Sequence, residues 1–433
     1  MKLKKYPRNI SLDAVLLFIL VILSLEILYK SPGISTGIIF WIIGFILLAV
    51  YLILDIKIKT QFIYLYKSII IVFLISWLFL PFMFQDILMQ YKIKQVLYTH
   101  DGAQQIEEGV KYLLQGKNPY AENYINTPLE HLWGGKIIDI HGEKIQNPAI
   151  YHFVYLPGYI LFSLPFYLIG MSITGWYDQR IIYIILFFLT LLVIYKIPPK
   201  ASDKILSLII LGFNPLLLYY FIGGTNDIFV FFWIILSIYL LHINKIKLSS
   251  LFFGLAVVSK HMAWFLIPFY FIFLWLKDEG LSFKEKLKNI FKKVYPFILI
   301  VILAVLPFLI WDFNSFIEDI YRYPAGMLTT SFPITGHAYA SLLIFLKIIA
   351  SDRDYYPFWI IQLIFCLPLL YFLIKMQIKN NSLSLVMFNH GLLLFIFWFF
   401  SRSFNEHYIG YLSLVFITAY FFDDQEKIDD NIC

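Results

Sequence analysis

Charged residues are scarce in this chain, at 14% of its 433 positions, where a soluble domain carries about a quarter. That shortage speaks against a globule solvated by water on all sides. Cysteine is nearly absent: Cys366 lies in an apolar run and Cys433 closes the chain. A disulfide framework is therefore not expected, and the thiols carry no message about redox compartment. The sequence contains no P-loop, dinucleotide fingerprint or nucleophile elbow, no internal repeat and no low-complexity tract. A cleavable signal peptide is missing as well. Residues 1–10 carry Lys2, Lys4, Lys5 and Arg8, but the apolar run behind them has no small-residue cleavage site, so it is expected to stay as an anchor.

Apolar residues fill the gap, at 60% of the chain, with aromatics alone at 20%. A helix needs about 20 apolar residues to cross the hydrocarbon core. Runs of that kind cover 12–29, 34–54, 62–84, 149–170, 181–197, 205–222, 228–243, 251–276, 297–311, 358–374, 385–400 and 409–422, which makes twelve. The net charge of +6 resides in short lysine clusters between these runs. That is the pattern of cytoplasmic loops and argues for a lipid bilayer, not nucleic acid, as the partner. The expected fold is all-α and polytopic.

Orientation follows from the positive-inside rule. The basic N-terminus and the turn with Lys57 and Lys59 are expected in the cytoplasm, which puts the polar stretch 85–148 outside. Residues 277–293 hold six lysines against three acids and return to the cytoplasm. Leu287, Ile290, Phe291 and Val294 share one helical face there, so the segment is expected to lie on the membrane surface. Residues 312–357 are then outside again, and the acidic tail is cytoplasmic. One conflict stands: Lys196, Lys200 and Lys204 prefer the cytoplasm, yet single crossings put them outside. It disappears if 149–170, broken by Pro157 and Pro165, and 251–276, broken by Lys260 and His261, are each hairpins of two short helices, raising the count to fourteen.

The first outer stretch carries the most pattern. In 98–120, Ile106, Val110, Leu113 and Leu114 form an apolar stripe, with Gln104, Gln105, Glu107, Glu108 and Lys111 facing away. This predicts an amphipathic interfacial helix, with Asp101 at the N-cap position and Gly116 ending it. Asp101 has two readings on physical grounds, a helix cap or a general base.

An acid soon after an early membrane helix, an interfacial helix and then Gly116-Lys117-Asn118-Pro119-Tyr120 resembles the first outer loop of GT-C glycosyltransferases. The resemblance is closest to the polyprenyl-phosphate-mannose-dependent mannosyltransferases. Tyr155-Leu156-Pro157 is similar to that family's Tyr-x-Pro element, and Gly223–Asp227 and Gly254–Lys260 resemble its turns. The likeness runs over 62–311 and more loosely over 358–433, with 1–61 an added helix pair. The chain departs from some branches in having His100-Asp101-Gly102 in place of paired acids, which counts against a metal-dependent version without closing that option.

The resemblance implies transfer of a sugar, mannose by expectation, from a polyprenyl phosphate to a hydroxyl of a glycolipid or glycan on the outer face. An alcohol is a poor nucleophile, so a carboxylate must take its proton, and cations must hold the departing phosphate. Asp101 is the expected base. Glu107 and Glu108 are runners-up that helix-face solvation also explains, and Asp227, with Asn226 as partner, competes if its turn is outside. Arg402, His407 and Tyr408 are expected at the phosphate, although Arg and Tyr there also fit an interfacial anchor. Lys260 and His261 join them, because a cation at mid-membrane normally faces a cavity or partner. His100, Tyr120, His152, Tyr155, Arg322 and His337 are possible lining residues. Asn389 and His390 are read as interhelical glue. His131 and His141 lack metal-ligand spacing, so no metal is assigned. A transporter or flippase of lipid-linked sugars and a non-catalytic assembly scaffold are the alternatives.

Overall fold

Apolar runs in lipid fold as helices because the backbone must then pair its own polar groups. The computed structural model, which describes residues 10–30, 37–57, 62–93, 96, 99–139 and 142–422, is helical almost throughout. The basic residues before Ile10, Lys59 in the first turn, Tyr98, His141 and the acidic tail with Cys433 lie outside the described residues. The chain opens with α1 (Leu12–Lys30), α2 (Ile38–Lys57) and α3 (Ile63–Ile93), followed by α4 (Asp101–Leu114), α5 (Gly158–Thr174) and α6 (Arg180–Lys196). Next come α7 (Ala201–Gly212), α8 (Pro215–Gly223), α9 (Asp227–His242), α10 (Ile246–Val257), α11 (Ile267–Leu276) and α12 (Phe283–Trp311). Short α13 (Phe313–Ile317) and α14 (Tyr339–Phe345) precede α15 (Phe358–Lys379), α16 (Leu383–Phe399) and α17 (Glu406–Phe421).

Among the described residues, α1, α2, α3, α12 and α15 are long and apolar enough to cross a membrane, and α7 with α8 makes a sixth if that bent pair is one span. Their outward faces are apolar: Leu303 and Ile310 on α12 are 60% and 75% exposed, and Ile364 on α15 is 60% exposed. Water would penalise such a surface, whereas lipid would not.

Two ends of the bundle can be told apart by contacts. At the far end, Lys67 at the start of α3 pairs with Asp13 at the start of α1 (2.6 Å) and Asp55 at the end of α2 (2.5 Å). Tyr195, late in α6, accepts a hydrogen bond from Ser68 at 3.5 Å, and the Lys204 ammonium lies 5.5 Å from its ring. At the opposite, loop end, the Tyr91 ring, late in α3, meets Trp176 at 5.4 Å. Asp86 approaches Arg180, the first residue of α6, at 3.8 Å.

Several expectations need correction. The run 149–170 is not a hairpin of two helices. Residues 148–151 form a 3-10 turn, Pro157 is the N-cap, and one helix follows, with Pro165 inside it. Both ends of α5 sit at the loop end: Gly158 donates its amide to the Val258 carbonyl (2.8 Å), and Gln179, just beyond the helix, donates to Glu107 of α4 (2.7 Å). A side chain at Gly158 would stand 2.7 Å from the Val258 oxygen, so only glycine allows this approach. Lys196, Lys200 and Lys204 consequently fall at the far end, where Tyr195 meets Ser68 and Lys204. The run 205–222 is two helices bent by 52°, where Asn214 caps Leu216 and Pro215 starts α8. The segment 277–293 does not stand apart on the surface. A capping box between Ser282 and Glu285 starts α12, which runs unbroken to Trp311.

The amphipathic α4 is the largest departure. Its apolar Ile106 and Val110 are buried, but so are Gln104, Gln105, Glu107 and Glu108. Gln105 donates to the carbonyls of Ala149 (2.8 Å) and His152 (2.9 Å), and Lys111 pairs with Glu108 at 2.6 Å. The polar face meets protein, not water. The second outer stretch is joined to the C-terminal helices by a two-residue parallel ladder, β3 (Thr335–Gly336) with β4 (Ser403–Phe404), and β1 (Lys136–Ile138) pairs antiparallel with β2 (Lys144–Gln146).

Candidate active site at three helix starts

Segments far apart in sequence converge at the loop end. His100, not Asp101, caps α4: its Nδ1 accepts the Gly102 amide at 3.1 Å, leaving Asp101 as the first helical residue. The His100 amide donates to the Gly223 carbonyl (2.7 Å), which ties the start of α4 to the turn before α9. That bond places the Gly223–Asp227 turn on the same side as Asp101. Glycine is required at 102, because a side-chain carbon there would lie 2.2 Å from the Tyr155 hydroxyl.

Asp101 keeps 17% of its side chain exposed, with Oδ1 at 2.9 Å from the His100 Nδ1. Burial pulls its pKa upward, but His100, the Gly102 amide and the Asn147 side chain outweigh it and hold the carboxyl below its ordinary value. The group is thus a carboxylate at neutral pH, partly open and, among the described residues, bonded to no lysine or arginine.

The cation sits opposite. Lys260 occupies the extended break between α10 and the 3-10 turn His261–Leu266, where 251–276 was expected to break. Its Nζ donates to Asp227 at 2.6 Å and to Asn226 at 2.9 Å. An ammonium has three hydrogens, so one remains, and the side chain is 18% exposed. Asp227 is buried and serves as the anchor of Lys260. Tyr155 presents its ring 5.8 Å from the same nitrogen.

His407, on the first turn of α17, closes the group, its ring 6.2 Å from His100, 5.8 Å from Tyr220 and 4.2 Å from Tyr408. Tyr408 in turn stacks on Trp398 at 4.5 Å. Three helices therefore begin at one place, α4 at Asp101, α9 at Asp227 and α17 at Glu406. Helix starts carry partial positive charge and unpaired amides, which favour an anion.

Other expected residues lie elsewhere. Arg402 is buried and spends its guanidinium on the carbonyls of Phe332 (2.9 Å), Asp354 (2.8 Å) and Asp352 (2.7 Å), so it fastens the second outer stretch. Burial lowers its pKa to about 10. His261 packs its ring on Trp264 at 4.7 Å and bonds the backbone of Ile320. His337 is exposed and pairs with Glu406 at 3.0 Å, and Arg322 is exposed. Glu107 is not solvated: burial and the nearby Asp178 push its pKa up to about 8, so it is protonated at neutral pH. Tyr120 donates to the Tyr155 carbonyl at 2.8 Å. His152 lies one layer away, bonded to Asp319 and Thr330, both at 2.7 Å. Asn389 donates to Leu373 (3.3 Å) on α15 and His390 meets Tyr411 (3.4 Å) on α17, as glue should.

Reading the sequence missed Tyr220, Trp398 and Tyr323. Tyr323 neighbours Asp101 and stacks near His152 at 4.4 Å. It also missed the buried Asp178–Arg180 pair (2.8 Å), whose arginine would touch a side chain at Gly224. Aromatic residues are too common here to signal a site. Among the described residues, no three His, Cys, Asp or Glu side chains gather to hold a metal. Comparison with protein-family models, characterised proteins and solved structures returns no match.

Proposed function

We propose that the chain is a membrane glycosyltransferase of the GT-C kind, moving a hexose such as mannose from a polyprenyl phosphate to a hydroxyl of a glycolipid or glycan. The observation that carries this reading is the pairing, within one group of side chains, of a partly open carboxylate with a partly open ammonium. Asp101 takes the acceptor proton as the hydroxyl attacks the anomeric carbon. The remaining hydrogen of Lys260, the three helix starts, His100 and His407 receive the phosphate as the bond to the sugar breaks. Attack from the face opposite the phosphate inverts the anomeric centre. A phosphate leaves readily, so no general acid is required.

The same reading sets the membrane frame. It takes each helix or bent pair between the two ends as a crossing, twelve in all, with α5 left out and 251–276 contributing two. The lysine-rich turns at the far end then face the cytoplasm, and the group around Asp101 faces out.

Purified protein in nanodiscs, given radiolabelled polyprenyl-phosphate sugars and membrane glycolipid extract, should consume one donor, and Asp101→Asn should abolish this without loss of folding. No donor consumption by the wild type would sink the proposal. A transporter of lipid-linked sugars is the second reading, favoured by the Asp227–Lys260 pair at a helix break, since broken helices with polar residues mark transport sites. Counterflow of the lipid-linked sugar across proteoliposomes, unaffected by Asp101→Asn, would select it.

A further inference from the structure

Beside the Asp101 group lies a separate cavity of about 180 Å³, at the seam between the first outer stretch and the second. It has room for roughly six waters at ~30 Å³ each, the scale of one pyranose ring with its hydroxyls. Its walls are Tyr120 and Tyr151, with Glu122, Asn123, Ser315 and Glu318 as polar groups. Its floor is His152, locked by Asp319, whose other oxygen accepts the Phe153 amide at 2.8 Å. Asp319 and His152 are therefore spent on holding the seam, and burial raises the pKa of Asp319 to about 6. One aromatic layer separates this cavity from Asp101, since Tyr120 bonds the backbone of Tyr155 and Tyr323 lies between His152 and Asp101.

Charge decides what fits. Among the described residues no lysine or arginine lines the cavity. Lys117 lies outside the lining and pairs with Glu122 at 3.6 Å. A phosphate would meet the Glu122 and Glu318 carboxylates with that one cation already paired, so the donor head group does not belong here. Among the described residues, no three His, Cys, Asp or Glu side chains gather here to hold a calcium ion. An acceptor-rich, almost wholly polar wall suits a ligand rich in hydroxyl donors. We infer that this cavity is the subsite for an uncharged sugar ring of the acceptor, gripped by Glu122 and Glu318 through its hydroxyls and flanked by Tyr120 and Tyr151. The inference deepens the transferase reading and rests on it for the word acceptor, though not for sugar binding itself.

The test uses the full chain in nanodiscs with p-nitrophenyl pyranosides (α-mannoside, β-glucoside, β-galactoside) and saturation-transfer NMR, with no donor present. At least one pyranoside should show ring-proton saturation. The double variant Glu122→Gln/Glu318→Gln should abolish it, while Asp101→Asn and Lys260→Met should leave it in place. Absence of any signal from wild type, survival of the signal in the double variant, or calcium chloride binding there by calorimetry in place of sugar would each overturn the inference. Donor consumption is followed in parallel. Sugar binding without donor consumption would remove the transferase reading and keep the cavity, and donor consumption without sugar binding would do the reverse.

Discussion

Two lysines in this protein each hold a charge cluster together, and they differ in what is left over. At the far end, Lys67 bonds both Asp13 and Asp55 and is 5% exposed. Ser11 donates to Asp55 through its amide (2.9 Å) and hydroxyl (2.6 Å), and Tyr51 donates to Asp13. The lysine there has no hydrogen to spare, since its third donor meets the Ser11 hydroxyl at 3.4 Å, and the cluster joins α1, α2 and α3. At the loop end, Lys260 bonds Asp227 but not Asp101, and both Lys260 and Asp101 stay partly open. A charge cluster that closes on itself is a staple, whereas one that keeps a base and a cation apart and accessible can do chemistry.

The sharpest break in this comparison is Asp101→Asn against Lys67→Met. Loss of a positioned general base costs about 10²–10⁴-fold in rate, and Asn keeps the shape. Turnover should fall by that factor with the thermal midpoint in nanodiscs unchanged. Lys67→Met leaves two half-buried carboxylates without their cation. It should lower the midpoint strongly, while turnover per folded molecule stays near wild type. If Lys67→Met instead leaves stability intact and slows turnover, the staple interpretation is wrong.

A smaller effect is expected at Gly102. Its missing side chain leaves the space that the Tyr155 hydroxyl occupies. Gly102→Ala should push the start of α4 away from Lys260 and cut kcat about tenfold, on the scale that a misplacement of about an ångström can reach. Adding Tyr155→Phe removes the clashing oxygen and should restore part of the rate. A double variant no better than Gly102→Ala would mean the collision does not govern the site.

The sequence was a good guide where chemistry is local and a poor one where it is tertiary. The helix breaks at Lys260 and after Leu114 were visible because Lys-His inside an apolar run and Gly116 both interrupt a pattern. The polar face of α4 was misread because periodicity tells which residues share a side, not what that side touches. Gln105 and Glu107 meet backbone groups from 149–152 and Gln179, which no local pattern reports. Arg402 was misplaced for the same reason: its three carbonyl partners lie 48 to 70 residues away in the chain. Hydropathy ran the apolar stretch from 149 since apolar length is all it measures, whereas 148–151 is a 3-10 turn and the helix starts at Gly158.

The subtlest contrast between the two clusters concerns pH. Asp101 is held below its ordinary value although burial pulls the other way, and the strongest opposing influence is His100 beside it. A base must be deprotonated to act, so the acid limb of kcat/KM should lie below the ordinary Asp value near 3.9. The same depressed carboxyl stabilises the fold above its unfolded pKa, and this contribution is lost as pH falls through the folded one. His100→Gln keeps an acceptor for the Gly102 amide but removes the imidazole. Burial then meets less opposition, and the acid limb should move upward, toward or past the ordinary value, with the neutral-pH rate changing much less than in Asp101→Asn. Lys67→Met, at the other end of the bundle, should not move it. Profiles of kcat/KM from about pH 3 to pH 7 for these variants decide the point: a limb that stays put in His100→Gln would mean Asp101 is tuned by something other than its neighbour, or is not the group that titrates.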